Sequence, residues 1–104
     1  MKKRGKSINQ FTLNNQTFSI RLTDHAELRL SQRKIDLFQV TGAILSLGQE
    51  RILSYQNSDR DVLIQDKANN FAVVIAITCS TITIITVIDS CDCWSRQGTD
   101  VVNI

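Results

Sequence analysis

The sequence predicts an α+β domain whose helices pack on one face of an antiparallel sheet. Apolar residues recur at helical spacing between residues 22 and 47, and every run after Gly48 has the composition of a strand. The chain has 104 residues, 42% of them hydrophobic, which suits one domain with a real core and is too short for two. We expect residues 1–10 to form a flexible basic arm and residues 11–104 to form a single α+β domain.

A short β-hairpin is predicted before the helices. The segment FTLNNQTFSIRL places Asn14 and Asn15 between two runs of strand-like residues, which is typical of a tight turn. We expect the second strand, over residues 17–22, to be the better formed.

The first helix is predicted over residues 25–33. Asp24 occupies the position of an N-cap, and Glu27 follows three residues later. This is the spacing of a capping box, with aspartate in place of serine or threonine. A short break at Lys34 and Ile35 then separates this helix from the next.

The second helix should begin after Asp36, which offers another N-cap, and should end at Gly48. Residues three and four apart lie on the same side of a helix, so the apolar spacing gives both helices one buried side. That side is formed by Leu22, Ala26, Leu30, Leu37, Val40, Ile44 and Leu47.

The rest of the chain has the pattern of strands. They are RILSYQ, DVLIQD, FAVVIAIT and ITIITVID, and a final short strand at residues 101–104 is left open. The last three named runs are rich in Val, Ile and Thr and are joined by short turns, which predicts an antiparallel meander. FAVVIAI is apolar on both faces, so we place it at the centre of the sheet.

The net charge of +2 is small, but basic residues concentrate in the first third of the chain and acids in the second half. A positive side on a nearly neutral domain suits a polyanion or an acidic protein partner. No apolar run reaches membrane length, so no membrane partner is expected. The basic residues of the first third are Lys2, Lys3, Arg4, Lys6, Arg21, Arg29, Arg33 and Lys34.

The three cysteines favour reduced thiols in a cytoplasm, because their number is odd and no signal peptide is apparent. Cys79 lies in an apolar strand context and is predicted to be a small core residue. Cys91 and Cys93 are too closely spaced for a zinc knuckle, and no second pair exists, so we expect neither a metal nor another cofactor.

His25, Arg29 and Arg33 are spaced four residues apart, which aligns them along one side of the first helix, next to the buried side. Two interpretations are open. The three side chains can form a solvated or structural face, with the arginines tied to backbone carbonyls or to an acid such as Asp66 or Asp89. Alternatively, they can line a groove between helix and sheet and meet a phosphate there.

The segment DHAELRLSQRKIDLFQVTGAI resembles the pattern H-A-x-x-R-hydrophobic-x-x-R-x-I of the domain-of-unknown-function family 4258. The resemblance spans residues 19–89, about two-thirds of the chain. Two positions depart from the family: Lys34 stands where glycine is frequent, and Ile88 stands where the last strand often has tyrosine. The matching residues are His25, Ala26, Arg29, Arg33 and Ile35.

This resemblance implies a RelE-like ribonuclease toxin architecture, with two N-terminal helices after a short hairpin and an antiparallel four-stranded sheet. It implies metal-independent cleavage of RNA and a cognate antitoxin or immunity protein that neutralises the toxin. Some family members are the tips of larger toxins, so this chain would act in its own cytoplasm or in that of a target cell.

The chemistry of RNA cleavage fits the candidate residues. A base must activate the 2′-hydroxyl, and positive charge must stabilise the transition state. His25 suits proton transfer, Arg29 and Arg33 suit phosphate, and Thr86 would bind the phosphate from the far wall of the groove. With one histidine in the chain, either Arg29 or Lys34 acts as the acid, or the activity is weak or absent.

Lys34, Arg21 and Tyr55 are further candidates for RNA binding, Tyr55 by stacking on a base. Thr86 is also an ordinary strand former, and a lone tyrosine is often a packing residue. Two other functions therefore stay open: a non-catalytic module of phage or plasmid origin that binds nucleic acid or protein, and a small interaction protein whose basic side is structural.

Overall fold

The computed structural model describes residues 5–13, 15–56, 60–90 and 99–104. Lys2, Lys3 and Arg4 of the predicted arm lie outside these ranges, as do Cys91 and Cys93. In chain order the elements are β1 (Gly5–Leu13), β2 (Gln16–Thr23), α1 (Asp24–Arg33), α2 (Leu37–Leu45), α3 (Gln49–Ser54), β3 (Val62–Asp66), β4 (Phe71–Thr78), β5 (Thr81–Ile88) and β6 (Asp100–Asn103). The first strand thus begins inside the stretch predicted as an arm.

All six strands belong to one mixed sheet in the order β1-β2-β5-β4-β3-β6. The pairs β2–β5 and β3–β6 are parallel, and the other neighbours are antiparallel. The predicted antiparallel four-stranded sheet with two helices is therefore wrong. The domain is α+β, but its sheet has six strands and it carries three helices.

The predicted sheet was too small because the hairpin does not stand apart from the meander. Phe18, Ile20 and Leu22 of β2 are apolar and become buried when β2 aligns with β5, with Ile20 beside Ile82. Parallel strands need a long crossover connection. The segment between β2 and β5 provides it, because the three helices lead from β2 to β3, and β3 and β4 then lead to β5. Such a pairing joins segments far apart in the sequence, so local patterns do not reveal it.

The meander itself is confirmed. β3, β4 and β5 pair antiparallel in succession, and each begins and ends within one residue of its predicted bounds. β4 lies in the interior of the sheet, as its two-sided apolar sequence predicted. β6 overlaps the short strand that the sequence left open, and it pairs parallel with β3.

The predicted strand RILSYQ is wrong, because most of this segment belongs to the helix α3. Gly48 precedes that helix with a φ of 88°, a conformation that favours glycine, so it begins α3 instead of ending α2. Ile52 is buried, and Leu53 and Tyr55 pack against the core. A helix of six residues is too short to show helical periodicity, which explains the error.

The first helix begins one residue earlier than predicted, because its N-cap is Thr23 and not Asp24. The Thr23 hydroxyl accepts a hydrogen bond of 3.0 Å from the backbone N–H of Ala26. The same hydroxyl lies 3.2 Å from the carbonyl oxygens of both Ile84 and Ile85 and can donate to them. Thr23 therefore caps α1 and ties its start to β5 at once.

The Thr23 hydroxyl contacts β5 at an irregular point of the strand. Val74 pairs with Thr86 and Ile75 pairs with Ile84, so Ile85 is the extra residue of a β-bulge. Thr86, which His25 contacts, directly follows this bulge.

The predicted N-cap of the second helix, Asp36, is confirmed. Asp36 accepts a hydrogen bond of 2.9 Å from the backbone N–H of Phe38.

The first helix ends at a strained residue. Lys34, the C-cap of α1, has a φ of 55° and a left-handed conformation. Only glycine adopts that conformation without steric cost, so a lysine here is strained.

The helices cover one face of the sheet, as predicted. Ala26, Val40 and Ile44 are fully buried, and Leu30 is nearly so. The helices pack against Phe18, Ile20, Leu22, Val62, Ile64, Phe71, Val73, Ile75, Ile77, Ile82, Ile84 and Val87.

The prediction that Cys79 is a core residue is wrong: it lies exposed in the β4–β5 turn with a φ of 53°.

Among the described residues, no helix is long and apolar enough to cross a membrane.

Replacing Thr23 with valine keeps the side-chain shape but removes both functions of the hydroxyl. We expect the free energy of unfolding to fall by about 1–3 kcal/mol, because the helix loses its cap and β5 loses a donor. Urea denaturation measures the change. Thr23→Ser keeps the hydroxyl and should lose much less, so equal losses in the two variants would contradict this role.

Replacing Lys34 with glycine should stabilise the domain. A left-handed residue with a side chain destabilises the folded state by about 1–2 kcal/mol, which glycine would avoid. The added flexibility of glycine in the unfolded chain cancels about half of this gain in stability. We expect the thermal midpoint to rise by a few degrees in calorimetry. Lys34→Ala removes the same charge but keeps the strain, so an equal rise in that variant would refute the explanation.

Candidate active site

The candidate site lies where α1 runs alongside the second half of β5. Three pairs of side chains define it, and each has at least one member that the sequence singled out. The Thr23 tie at the start of α1 fixes the relative position of the two elements. The side chains of the site come from α1, from β5 and from the residue that directly follows β5.

His25 and Thr86 meet directly at the N-terminal end of α1. His25 Nε2 lies 3.1 Å from Thr86 Oγ1, within hydrogen-bond distance, and His25 is exposed to solvent. The roles of donor and acceptor depend on the imidazole tautomer. The structure thus brings a proton-transfer group and a hydroxyl together at an accessible point.

Arg29 lies one turn further along the helix. Its side chain is half-buried, and its Nη1 donates a hydrogen bond of 3.2 Å to Oε1 of Gln32. That partner is neutral, and within the described part of the chain no carboxylate lies at ion-pair distance from Arg29. The Arg29 backbone lies one helical turn along α1 from His25.

Arg33, one more turn along, is tied to an acid. Its Nη1 lies 2.7 Å from Oδ1 of Asp89, just beyond the end of β5. The side chain of Arg33 is 27% exposed and that of Asp89 is 58% exposed. Arg33 Nε is buried and has no hydrogen-bond partner, which indicates that the guanidinium is held mainly by the carboxylate.

The three aligned side chains therefore do not converge on one point. Each residue advances a helix by about 1.5 Å, so His25 and Arg33 begin about 12 Å apart along α1. One end of the line carries His25 and Thr86, and the other carries the Arg33–Asp89 ion pair. Of the two structural ties considered from the sequence, Asp89 is the one observed. Asp66 instead accepts hydrogen bonds from Asn69 in the β3–β4 turn.

The other candidates for RNA binding are dispersed. Lys34 is exposed at the end of α1, next to the ion pair in sequence. Arg21 lies between the inward-facing Ile20 and Leu22 on β2, so it is on the face of the sheet opposite the helices.

Tyr55 is separate from the site. It is half-buried after α3, and its hydroxyl is hydrogen-bonded to the carboxylate of Asp100. Asp100 begins β6, three strand positions away from β5, and also pairs with Arg60 at 2.7 Å. Burial is the main cause that raises the pKa of Tyr55, and the bond to Asp100 adds to it.

A surface depression of about 540 Å³ also lies away from the site. It is lined by residues 46–51 and by Asn103 and Ile104, at the turn between α2 and α3. Its walls contain none of the residues predicted from the sequence to cleave or bind RNA. In the described residues, no group of three or more histidine, cysteine, aspartate or glutamate side chains could hold a metal ion.

Comparisons of the chain with protein-family models, with curated proteins and with solved structures found no match. Sequence reasoning singled out His25, Arg29, Arg33 and Thr86, but it missed Thr23, which contacts both the helix and the strand. The signal was available, because threonine is a good N-cap and Thr23 directly precedes Asp24.

The raised pKa of Tyr55 should be visible directly, because the chain has a single tyrosine. We expect the ultraviolet absorbance of tyrosinate to appear with a midpoint above the ordinary value of about 10, and at that value in the urea-unfolded chain. The folded state holds this proton longer, so the stability it contributes is complete below about pH 10 and is lost as pH rises through the folded-state pKa. Tyr55→Phe should reduce the alkaline loss of stability, and identical midpoints in the folded and unfolded chain would contradict the assignment.

Proposed function

We propose that this chain is a metal-independent ribonuclease that cleaves RNA by attack of a 2′-hydroxyl on the adjacent phosphate. The observation that carries the proposal is the contact of 3.1 Å between His25 Nε2 and Thr86 Oγ1. It joins a proton-transfer group and a phosphate-binding hydroxyl at an exposed point, with the cation of Arg29 one helical turn away.

In the proposed reaction, neutral His25 takes the proton of the 2′-hydroxyl as the oxygen attacks phosphorus. The bond from phosphorus to the 5′-oxygen breaks, which leaves a 2′,3′-cyclic phosphate on one fragment and a 5′-hydroxyl on the other. Thr86 has one hydroxyl proton, so in this reaction Nε2–H of His25 donates to Thr86 Oγ1, and Nδ1 of His25 is the nitrogen that takes the proton of the 2′-hydroxyl. The Thr86 hydroxyl then donates to a phosphate oxygen, and Arg29 stabilises the negative charge that develops on the phosphate.

The proton of the leaving 5′-oxygen has a different source from the two considered in the sequence. Lys34 lies nine residues after His25, about 14 Å along the helix, which is too far for the same phosphate. Arg29 is close, but a guanidinium does not release a proton near neutral pH. Water reaches the exposed pair and supplies this proton in the proposed mechanism.

The biological setting of the proposal comes from the resemblance to family 4258. On that basis the chain is a toxin that acts on RNA in a cytoplasm, either its own or that of a target cell, and a cognate antitoxin or immunity protein neutralises it. The left-handed conformation of Lys34 supports the resemblance, because it occurs where the family frequently has glycine.

A second candidate is a non-catalytic module that binds nucleic acid. The ion pair between Arg33 and Asp89 favours it, since an arginine bound to a carboxylate is less available to stabilise the transition state of phosphate cleavage. The presence of a single histidine also favours it. In this case the chain would bind RNA without cutting it, and a His25 variant would retain the binding.

The decisive experiment is incubation of the purified chain with RNA in the presence of a chelator. We expect discrete fragments that end in a cyclic phosphate, and no cut at a position where a single 2′-deoxynucleotide has been introduced. His25→Ala and Thr86→Val should each lower the cleavage rate by about 10²-fold. The thermal midpoints should hardly change, because substitutions at exposed or half-exposed positions seldom alter stability.

Thr83→Val is the matched control for Thr86→Val. Thr83 lies in the same strand and is similarly half-buried, but it has no place in the proposed site. Its variant should cleave at the normal rate. If His25→Ala cleaves as fast as the natural chain, the site is wrong. If RNA is bound but stays intact in every preparation, the non-catalytic module is the better description.

A further inference from the structure

The Arg33–Asp89 pair places a carboxylate on a surface that the proposed function requires to bind a polyanion. Asp89 is the more exposed partner, at 58% against 27% for Arg33. Its Oδ1 is held by Arg33 Nη1 at 2.7 Å, which fixes the orientation of the carboxylate. Arg33 is the less exposed partner, and its buried Nε has no hydrogen-bond partner of its own.

This carboxylate is too far from His25 to act on the same phosphate. The pair lies about 12 Å along α1 from the start of the His25 turn. Even in a stacked double helix a strand rises only about 3.4 Å per nucleotide, and an unpaired strand is more extended, so this distance corresponds to at most about three nucleotides. RNA that lies along α1 with one phosphate at His25 would therefore bring a different nucleotide to Asp89.

A phosphate at Asp89 would be repelled by the like charge, whereas the edge of a base carries hydrogen-bond donors. Proteins that recognise single-stranded RNA form hydrogen bonds with the unpaired Watson–Crick edges of its bases. An exposed, oriented carboxylate on an RNA-binding surface is thus better suited to a base than to the backbone.

The choice among the four bases follows from donors and acceptors. An ionised carboxylate has two oxygens and only accepts hydrogen bonds. Guanine has two adjacent donors on its Watson–Crick edge, N1–H and the N2 amino group. Adenine and cytosine place an acceptor next to their amino group, and uracil places carbonyl oxygens on both sides of its single N–H, so each turns a lone pair toward the carboxylate.

We infer that Asp89, oriented by Arg33, recognises a guanine in single-stranded RNA bound along α1. The inference rests on the proposed function and names the substrate class of the same site. Guanine N1–H and the N2 amino group donate to the two oxygens of Asp89, and the guanidinium of Arg33 lies on the Oδ1 side, where O6 of guanine would come.

The test compares short 2′-O-methyl oligonucleotides, which cannot be cleaved, by fluorescence anisotropy at low salt. The set is a uridine oligomer and the same oligomer with one central guanosine, inosine, adenosine or cytidine. We expect the guanosine oligomer to bind about tenfold more tightly than the adenosine, cytidine and uridine oligomers, which is within the range of one bidentate base contact. Inosine lacks the amino group and should bind with intermediate affinity.

Asp89→Asn should abolish the guanosine preference, because an amide offers one acceptor and one donor in place of two acceptors. It should also bind the plain uridine oligomer at least as tightly as before, since a negative charge is gone. Glu50→Gln is the matched control: it neutralises an exposed acid on α3 and should keep the preference. Thermal unfolding of each variant verifies that the fold is intact, and an exposed ion pair of this kind contributes only about 0–1 kcal/mol to stability.

The outcomes separate the two proposals. If the chain binds or cleaves RNA without preferring guanosine, or if Asp89→Asn keeps the preference, guanine recognition is refuted and the ribonuclease proposal stands. If the natural chain binds none of the oligomers and cleaves no RNA, the ribonuclease proposal itself fails, and recognition of a base by Asp89 fails with it.

Discussion

The hydroxyl of Thr23 is the interaction on which the rest of the site depends. It accepts from the first turn of α1 and lies within hydrogen-bond distance of the carbonyl oxygens of Ile84 and Ile85. One buried atom thus fixes both the start of the helix and its position over the bulge of β5. Two residues later, His25 reaches Thr86, and two turns further on, Arg33 reaches Asp89. Without that anchor, the helix could slide or tilt over the strand, and neither contact would be specified.

The mixed sheet makes this arrangement possible. The hairpin strand β2 lies parallel to β5, so the end of β2 and the second half of β5 emerge at the same edge of the sheet. The helix that follows β2 must turn back over the sheet at this edge, because its apolar side has to be buried. The candidate site is therefore a consequence of the crossover connection.

Much of the structure could be predicted from local patterns, and the rest depends on distant contacts. Asp36 was correctly identified as a cap and Ile44 as a core residue, because caps and helical spacing involve neighbours in sequence. The α3 helix was mistaken for a strand because six residues carry too little periodicity. The parallel pairing of β2 with β5 could not be foreseen from neighbouring residues. The sequence named both Asp66 and Asp89 as possible partners of the arginines, and only the folded structure decides for Asp89.

The distance in sequence between His25 and Thr86, 61 residues, has a consequence for the timing of activity during synthesis. Contacts between such remote segments form late in folding, because the intervening loop must first be closed at an entropic cost. A nascent chain that has produced only the hairpin and helices holds His25 and both arginines but lacks β5. The RNA-cleaving site proposed here would therefore be absent from partly synthesised chains. It would be completed only after β5 has left the ribosome and docked against β2.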